Sequence, residues 1–569
     1  MSEPILSRAA GAAAALLLAA TLTVPAGAAG PPPGVPEAAQ GAATATITPA
    51  TLEAPIRFLA DDLLEGRGPA SRGDRLTRLY LASTLQLLGL EPGGPDGSYH
   101  QPFPVVGIDA EMPATWAFHR AGEEVALERS RDFIAASGVQ RPRAAIADAE
   151  LVFVGYGIEA PEYAWDDFKG ADLRGKVLVM LNNDPDWDPE LFAGTTRLYY
   201  GRWTYKYENA ARQGAAGAIV VHTTPSAGYP WQVVQTSWTG TQFELPAGDE
   251  PRLEVEAWTT EEAMGRLAGL AGRDWAALVA AAKSRDFRPV PLGVTTSLTL
   301  DNEISRAETG NVAGLLRGGD PALAGEVVIF TAHHDHLGIA DEAAGADADS
   351  IYNGAVDNAS GVAQVLAIAR AFSELPAPPR RSVLFLFVGA EEQGLLGSQH
   401  YAENPTFHPG RIAANLNFDG ANIWGRTADL TLVGMGKSDI DDVAVRLAAW
   451  QGRRVEPDQF PDHGSFYRSD QFNLAKIGVP ALYFDAGTEF VGRPPGWGKE
   501  QMEAWTEEKY HQPSDELSDE WDYSGMVDDA RLGFYAGLAL AEQAAPPAWK
   551  PGDEFEAARR EAMAAVGGE

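Results

Sequence analysis

Three textures of apolar and polar positions succeed one another along the chain. Between residues 49 and 90, Leu52, Ile56, Phe58, Leu59 and Leu63, then Leu76, Tyr80, Leu81, Leu85 and Leu88, recur at intervals of three and four, which predicts helices. Glu65-Gly66-Arg67-Gly68 and Ser71-Arg72-Gly73 mark a turn between them. From about residue 110 to 300 the apolar runs are short and bounded by Gly and Asp, as in Leu151-Val152-Phe153-Val154, 176–181 and 217–221, and these predict strands. One helix, 207–213, precedes the third of them. From about residue 302 to 544, predicted strands at 326–332, 382–388, 414–418 and 480–484 alternate with helical stretches. The helix predicted at 361–375 carries Val362, Val365, Leu366, Ala369 and Phe372 on one face. Alternation of this kind predicts an α/β fold, a mostly parallel sheet sandwiched by helices, with a smaller strand-rich domain inserted into it.

The expected organisation follows. Residues 1–28 read as a secretory signal peptide, with an apolar run at 9–24 and the small residues Ala26-Gly27-Ala28 at its end. Residues 29–48, rich in Ala, Pro and Gly, read as a flexible leader. A catalytic domain takes 49–130 and 300–545, the inserted domain takes 131–299, and 546–569 form a Pro-bounded linker and one amphipathic helix (Phe555, Ala558, Met563). A secreted or periplasmic protein with no membrane span after signal cleavage is expected.

Composition narrows the function classes. With 45% apolar and 22% charged residues the chain has the make-up of a globular protein. Its net charge of −35 excludes the basic footprint that nucleic-acid binding needs. The absence of cysteine removes disulfides, thiolate metal sites and cysteine nucleophiles together.

The candidate chemistry is a widely spaced set of acids and imidazoles: His333, Asp357, Glu391-Glu392, Asp419 and His511. His333, the Glu pair and Asp419 each follow a predicted strand, where ligands bind in open α/β sheets. Two imidazoles and several carboxylates without a thiolate suit two zinc ions sharing one carboxylate, an arrangement that activates water for hydrolysis. Taken singly, each residue has an ordinary structural reading: Asp357 as a helix N-cap, Glu391-Glu392 as a solvated turn, Asp419 as a turn former. The adjacent His334 and His336 are competing ligands.

In Ala332-His333-His334-Asp335, Asp357-Asn358-Ala359-Ser360-Gly361, Glu391-Glu392, Asn417-Phe418-Asp419 and Tyr510-His511-Gln512-Pro513-Ser514-Asp515 the chain resembles the co-catalytic di-zinc aminopeptidases. That group includes bacterial leucyl aminopeptidase, the glutamate carboxypeptidases and the non-catalytic transferrin receptor. The insert resembles a protease-associated domain in Gly155-Tyr156-Gly157-Ile158, in 170–177 and in 206–215. The resemblance implies that Asp357 bridges two zinc ions, that His333 and Asp419 complete one and Glu392 and His511 the other, and that Glu391 is the general base. It implies an aminopeptidase acting on peptide substrates. A carboxypeptidase or dipeptidase of the same group is the alternative, with Arg468 and Arg493 as candidates for the substrate carboxylate. A single-zinc glutaminyl cyclase and a non-catalytic peptide binder are further readings, both disfavoured by the full ligand set.

Asp335 and Asp515 are candidates to orient the rings of His333 and His511. Tyr467 is the candidate oxyanion donor, with core packing as its other reading. Ser469-Asp470-Gln471 departs from the Ser-Asp-His common in the group. The acidic stretch 341–350 is a candidate calcium loop or a solvated one. The aromatic set Trp203, Tyr205, Tyr207 and Trp231 is a candidate for domain packing or a substrate wall.

Overall fold

The computed structural model describes residues 35–340 and 349–567. The expected signal peptide and most of the acidic stretch, residues 341–348, lie outside the described residues.

Four parallel strands carry the sheet. Val327–His333 lies between Ser382–Val388 and Ile412–Asn417, and Ala481–Ala486 adds to the latter. The first three are buried along their whole length. This explains why they read as unbroken apolar runs and not as alternating ones. Alternate residues serve opposite faces. Val328, Phe330, Ala332, Phe385 and Leu416 pack under the helices Pro49–Leu59, Gly361–Ser373 and Ser524–Glu542. Val327, Ile329, Leu384 and Leu386 pack on the other side against Tyr401 and Leu474, from Leu396–Glu403 and Gln471–Lys476. The sheet is thus covered on both faces, as the alternation of strands and helices predicts. Two antiparallel pairings flank these strands, Asp429–Val433 with Ala481–Ala486 and the end of Val290–Leu316 with Ser382–Val388, and Arg454–Pro457 adds parallel to Asp429–Val433. Asp429–Val433 has no counterpart among the predicted strands.

A second hydrophobic core gathers residues from Met112 to Leu300. Its centre is a parallel set, Arg143–Phe153, Val177–Leu181, Gly217–His222 and Val255–Thr260. The hairpin Thr115–Arg120 and Glu123–Glu128 also packs here through Trp116, Phe118 and Leu127. The change of core therefore falls near residue 112 and not at 131. Both chain crossings between the cores are strands, His100–Glu111 and the 27-residue Val290–Leu316, and they pair with each other. The expected aromatic set is divided: Tyr205 and Tyr207 are buried in this core, and Trp203 and Trp231 lie half-buried against it.

The leader also differs from expectation. Glu37–Thr46 is a helix, with Ala39 and Ala43 buried in the main core. Small side chains let it approach closely, a packing role that composition alone reads as flexibility. At the other end Trp549 and Phe555 are buried beside Phe466 and Phe472, and the helix Glu556–Gly567 follows.

The turn at Glu65-Gly66-Arg67-Gly68 ties the amino-terminal helices to the sheet. Arg67 is buried and donates to four backbone carbonyls: Leu59 at 2.5 Å, Asn353 at 2.6 Å, and His334 and Gly354 at 3.0 Å. Gly66 is at φ +62°, and a Cβ there would meet the Gly338 carbonyl oxygen at 2.3 Å, so only glycine lets this turn seat. Arg67→Met strands several buried acceptors. It is expected to lower unfolding free energy by about 3 kcal/mol or more, measured by urea denaturation, with Arg67→Lys intermediate because three donors replace five.

Candidate metal centre

Acids and imidazoles from five segments converge at the carboxyl end of the parallel strands. His333 ends its strand, Glu391 and Glu392 lie in the turn after Ser382–Val388, and Asp419 is just beyond Ile412–Asn417. Asp357 sits in Ala355–Ser360, leading into the helix Gly361–Ser373. His511 follows the helix Trp497–Glu508 with a left-handed backbone at φ +56°. A non-glycine residue held there marks a position fixed by its surroundings.

Asp357 faces an imidazole on each side. Its Oδ1 is 3.2 Å from His333 Nε2, and its Oδ2 is 3.3 Å from His511 Nε2. His333 Nε2 also lies 3.2 Å from Asp419 Oδ1, and His511 Nε2 lies 3.0 Å from Glu392 Oε2. Two three-residue clusters therefore share one carboxylate. Glu391 stands beside them, its Oε2 3.9 Å from His333 Nε2. All six expected residues are brought together.

The electrostatics call for positive charge at two points. Burial would keep both rings neutral, but the carboxylates outweigh it. Glu391 and Asp419 hold His333 well above the usual imidazole range, and Glu392 and Asp357 push His511 up to about 10. Against its own burial, Glu392 falls to about 2 beside His511, and Asp357 is held well below the carboxylate range by His333 and His511. Glu391 goes the other way: burial, with Glu392 and Asp419 nearby, raises it well above that range. Cation-demanding positions on either side of one carboxylate, with nitrogen and oxygen donors only, fit zinc.

The supporting residues differ from those expected. The carboxylate of Asp335 accepts the backbone N–H groups of Glu391 at 3.0 Å and Glu392 at 3.3 Å, and His333 Nδ1 faces the Asp335 carbonyl at 3.3 Å. Asp515 accepts from the Val356 and Asp357 N–H groups, each at 3.0 Å, and so positions Asp357 and not His511. The partner of His511 Nδ1 is Ser237 Oγ at 2.7 Å, from the second core. His334 turns away to Asp74 at 3.3 Å. His336 turns inward, its Nδ1 2.6 Å from Glu392 Oε1, and forms a further possible donor group with Asp357 and Glu392, as His333 does with Glu391 and Glu392.

Tyr467 corrects the expectation of an oxyanion donor. Its hydroxyl donates to Glu554 at 2.6 Å and its ring packs on Phe472, with no part in lining the cavity. The short helix Ser465–Tyr467 turns it from the metal centre. Gln471 is absorbed structurally, accepting from Asn417 and donating to the Phe466 carbonyl.

A cavity of about 550 Å³ opens on the centre, lined by Glu391, Asp419, Trp424, Tyr483 and, from the second core, Tyr229. Tyr483 and Tyr510 both line it. Burial holds the two phenols well above their usual range, so each remains a hydrogen-bond donor. Tyr510 sits beside His511 in sequence, and that adjacency was the available sign. Of the two arginines considered, Arg468 lines the cavity, whereas Arg493 lies over the Trp497 ring at 4.5 Å.

Comparison with protein families matches residues 311–533 to Peptidase family M28. Among curated sequences, the chain is 43% identical over 79 residues to leupeptin-inactivating enzyme 1 of Streptomyces exfoliatus, covering 13% of this chain and 18% of that protein. It is 30% identical over 228 residues to the probable lipoprotein aminopeptidase LpqL of Mycobacterium tuberculosis, covering 36% and 43%. The chain thus spans less than half the length of these relatives. Among solved structures, the aminopeptidase from Aneurinibacillus sp. strain AM-1 superposes with a TM-score of 0.51 at 20% identity, over 89% of this chain and 96% of that one, and shares its fold.

Because Tyr467 is bonded away from the cavity, Tyr467→Phe is expected to leave peptide turnover at the wild-type level. The lost hydrogen bond to Glu554 costs about 1 kcal/mol, read from thermal unfolding.

Proposed function

We propose, from the match of residues 311–533 to Peptidase family M28 and from the geometry of the site, that the protein is a zinc-dependent aminopeptidase exported from the cytoplasm. The observation that carries the reading is Asp357, with one carboxylate oxygen toward His333 and the other toward His511. Asp357 would be shared by two zinc ions, one completed by His333 and Asp419 and the other by Glu392 and His511. When bound, the ions supply Lewis acidity that polarises the scissile carbonyl and brings water toward ionisation at neutral pH.

Glu391 is the base. It lies beside the ligands without being needed as one, and its environment favours holding a proton. It takes a proton from water as the oxygen adds to the carbonyl carbon, then delivers it to the leaving nitrogen as the C–N bond breaks. Tyr510 lines the cavity and its hydroxyl, which accepts from Arg468 at 3.3 Å, would offer its own proton to a bound substrate, whereas the Tyr483 hydroxyl donates to the Asp419 carbonyl at 3.3 Å. Acidic side chains on the cavity wall, Asp419, Asp462 and Glu503 among them, attract the α-ammonium of a peptide amino terminus.

The insert, read as a protease-associated domain of residues 131–299, supplies one wall of that cavity. The apolar run at 9–24 supports export, and no helix among the described residues is long and apolar enough to cross a membrane.

The test pairs metal content with turnover. About two zinc ions per chain are expected by elemental analysis, with release of nitroaniline from leucine p-nitroanilide but not from its N-acetyl form. Glu391→Gln is expected to lower kcat by about 10³ or more while retaining zinc. Equal turnover of free and acetylated substrates would count against aminopeptidase action, and wild-type turnover by Glu391→Gln against the base.

A further inference from the structure

The segments that carry Glu392 and His511 are fastened to the insert. The helix Trp231–Ser237 belongs to the insert, where Val233 and Val234 are buried in its core. Trp231 Nε1 at 2.7 Å and Gln235 Nε2 at 2.8 Å both donate to the Ser130 carbonyl, since a spacing of four residues puts them on one helical face. Gln232 and Ser237 reach across to the other lobe. Gln232 Nε2 donates to the Glu507 carbonyl at 2.8 Å, in the last turn of the helix before His511, and Ser237 Oγ lies 2.7 Å from His511 Nδ1. The strand Gln242–Glu244 makes a second fastening. It pairs with His100–Glu111, and the Phe243 N–H donates to Gln393 Oε1 at 2.7 Å, one residue past Glu392. The Phe243 ring packs on the cluster that contains Ala390 and Leu396, which bracket the same turn.

The opposite pair of expected ligands is held from within the main lobe. His333 Nδ1 faces the Asp335 carbonyl at 3.3 Å, and the Asp419 carbonyl accepts from the Tyr483 hydroxyl at 3.3 Å. Asp357, between the two pairs, is positioned by Asp515. The two sides of the centre therefore differ in their support. One is assembled by the main lobe, and the other also needs the insert seated on it.

A neutral imidazole that presents Nε2 to a cation carries its proton on Nδ1 and needs an acceptor there. For His333 the nearest acceptor is a carbonyl two residues along its own chain, which moves with the ring. For His511 it is a half-buried hydroxyl on the other lobe, at the end of a helix anchored to Ser130. A shift of that helix acts directly on the contact, because a hydrogen bond weakens steeply as its geometry is lost.

We propose that Ser237 is a positioning residue through which the insert sets the metal affinity of the Glu392–His511 side alone. The two zinc positions are then unequal, and the seating of the insert governs the filling of one of them. The inference rests on the zinc reading of the site, which it deepens by naming the position that depends on the insert.

The test is a competition titration of zinc between the full chain and a chromophoric chelator. Ser237→Val replaces the hydroxyl by a methyl group and is expected to weaken one ion about tenfold or more while leaving the other unchanged. Ser237→Thr keeps the hydroxyl on a side chain of the same shape, and is expected to hold both ions as the wild type does. Ser237→Ala adds no atoms, is expected to weaken the same ion as Ser237→Val, and guards against a fold defect in the branched variants. In a chain already carrying His511→Ala, adding Ser237→Ala is expected to leave the affinity of the remaining ion unaltered, because Ser237 acts through that ring. Equal weakening of both ions, a Ser237→Thr chain as weak as Ser237→Val, or a further loss in the His511→Ala chain would each overturn the proposal. Wild-type affinities for both ions in Ser237→Ala would sink this inference and leave the zinc reading standing. A wild-type chain that binds no zinc removes both.

Discussion

Crowded negative charge at the carboxyl ends of the parallel strands is the constraint around which the structure is arranged. Asp335, Asp357, Glu392 and Asp515 are buried or nearly so, with Glu391 and Asp419 alongside. Carboxylates held this closely need cations and hydrogen-bond donors, because burial alone would protonate them. The chain meets that need in two layers. His333 and His511 face Asp357 directly, while the backbone N–H groups of 356–357 and 391–392 are fastened to Asp515 and Asp335. An acid that does not face the centre thus fixes the segment bearing one that does. Arg67 adds a permanent cation, bonded to the carbonyls of the loops that carry His334 and Gly354.

The second core is part of this arrangement and not a separate attachment. Ser237 meets His511, and Tyr229 lines the cavity. The site would lack one wall and one imidazole partner if the main core folded alone. This follows from the geometry of open α/β sheets: the strand ends present a crevice on one side only, so an enclosed cavity needs a cover from elsewhere in the chain.

Much of this was legible in the sequence, and the limits have physical causes. Unbroken apolar runs identify Val327–His333 and Ser382–Val388, since burial on both faces leaves no polar alternation. The end of such a run is where the sheet delivers a side chain to solvent or ligand, so His333, Glu391, Glu392 and Asp419 follow from pattern and chemistry together. Tyr467 failed because a short helix of three residues has no periodicity from which to read direction. His336 lies in the irregular stretch past the strand, where alternation no longer applies. Ser237 was invisible for another reason. Its meaning lies in a contact with His511, hundreds of positions away, and a serine in a helix carries no local sign of such a partner. The leader failed on composition: alanine serves both flexible segments and closely packed helices, and Ala39 and Ala43 belong to the second kind.

The paired crossings between the cores have a mechanical consequence. Two-lobed enzymes commonly open about a loop hinge, but here His100–Glu111 and Val290–Leu316 form a continuous ladder from one lobe to the other. Swinging the lobes apart would bend or break that ladder. The cleft therefore has a nearly fixed aperture, adjusted by side chains at its rim. The shape of the cleft is thus fixed when the two cores fold together, and not at each encounter with a ligand.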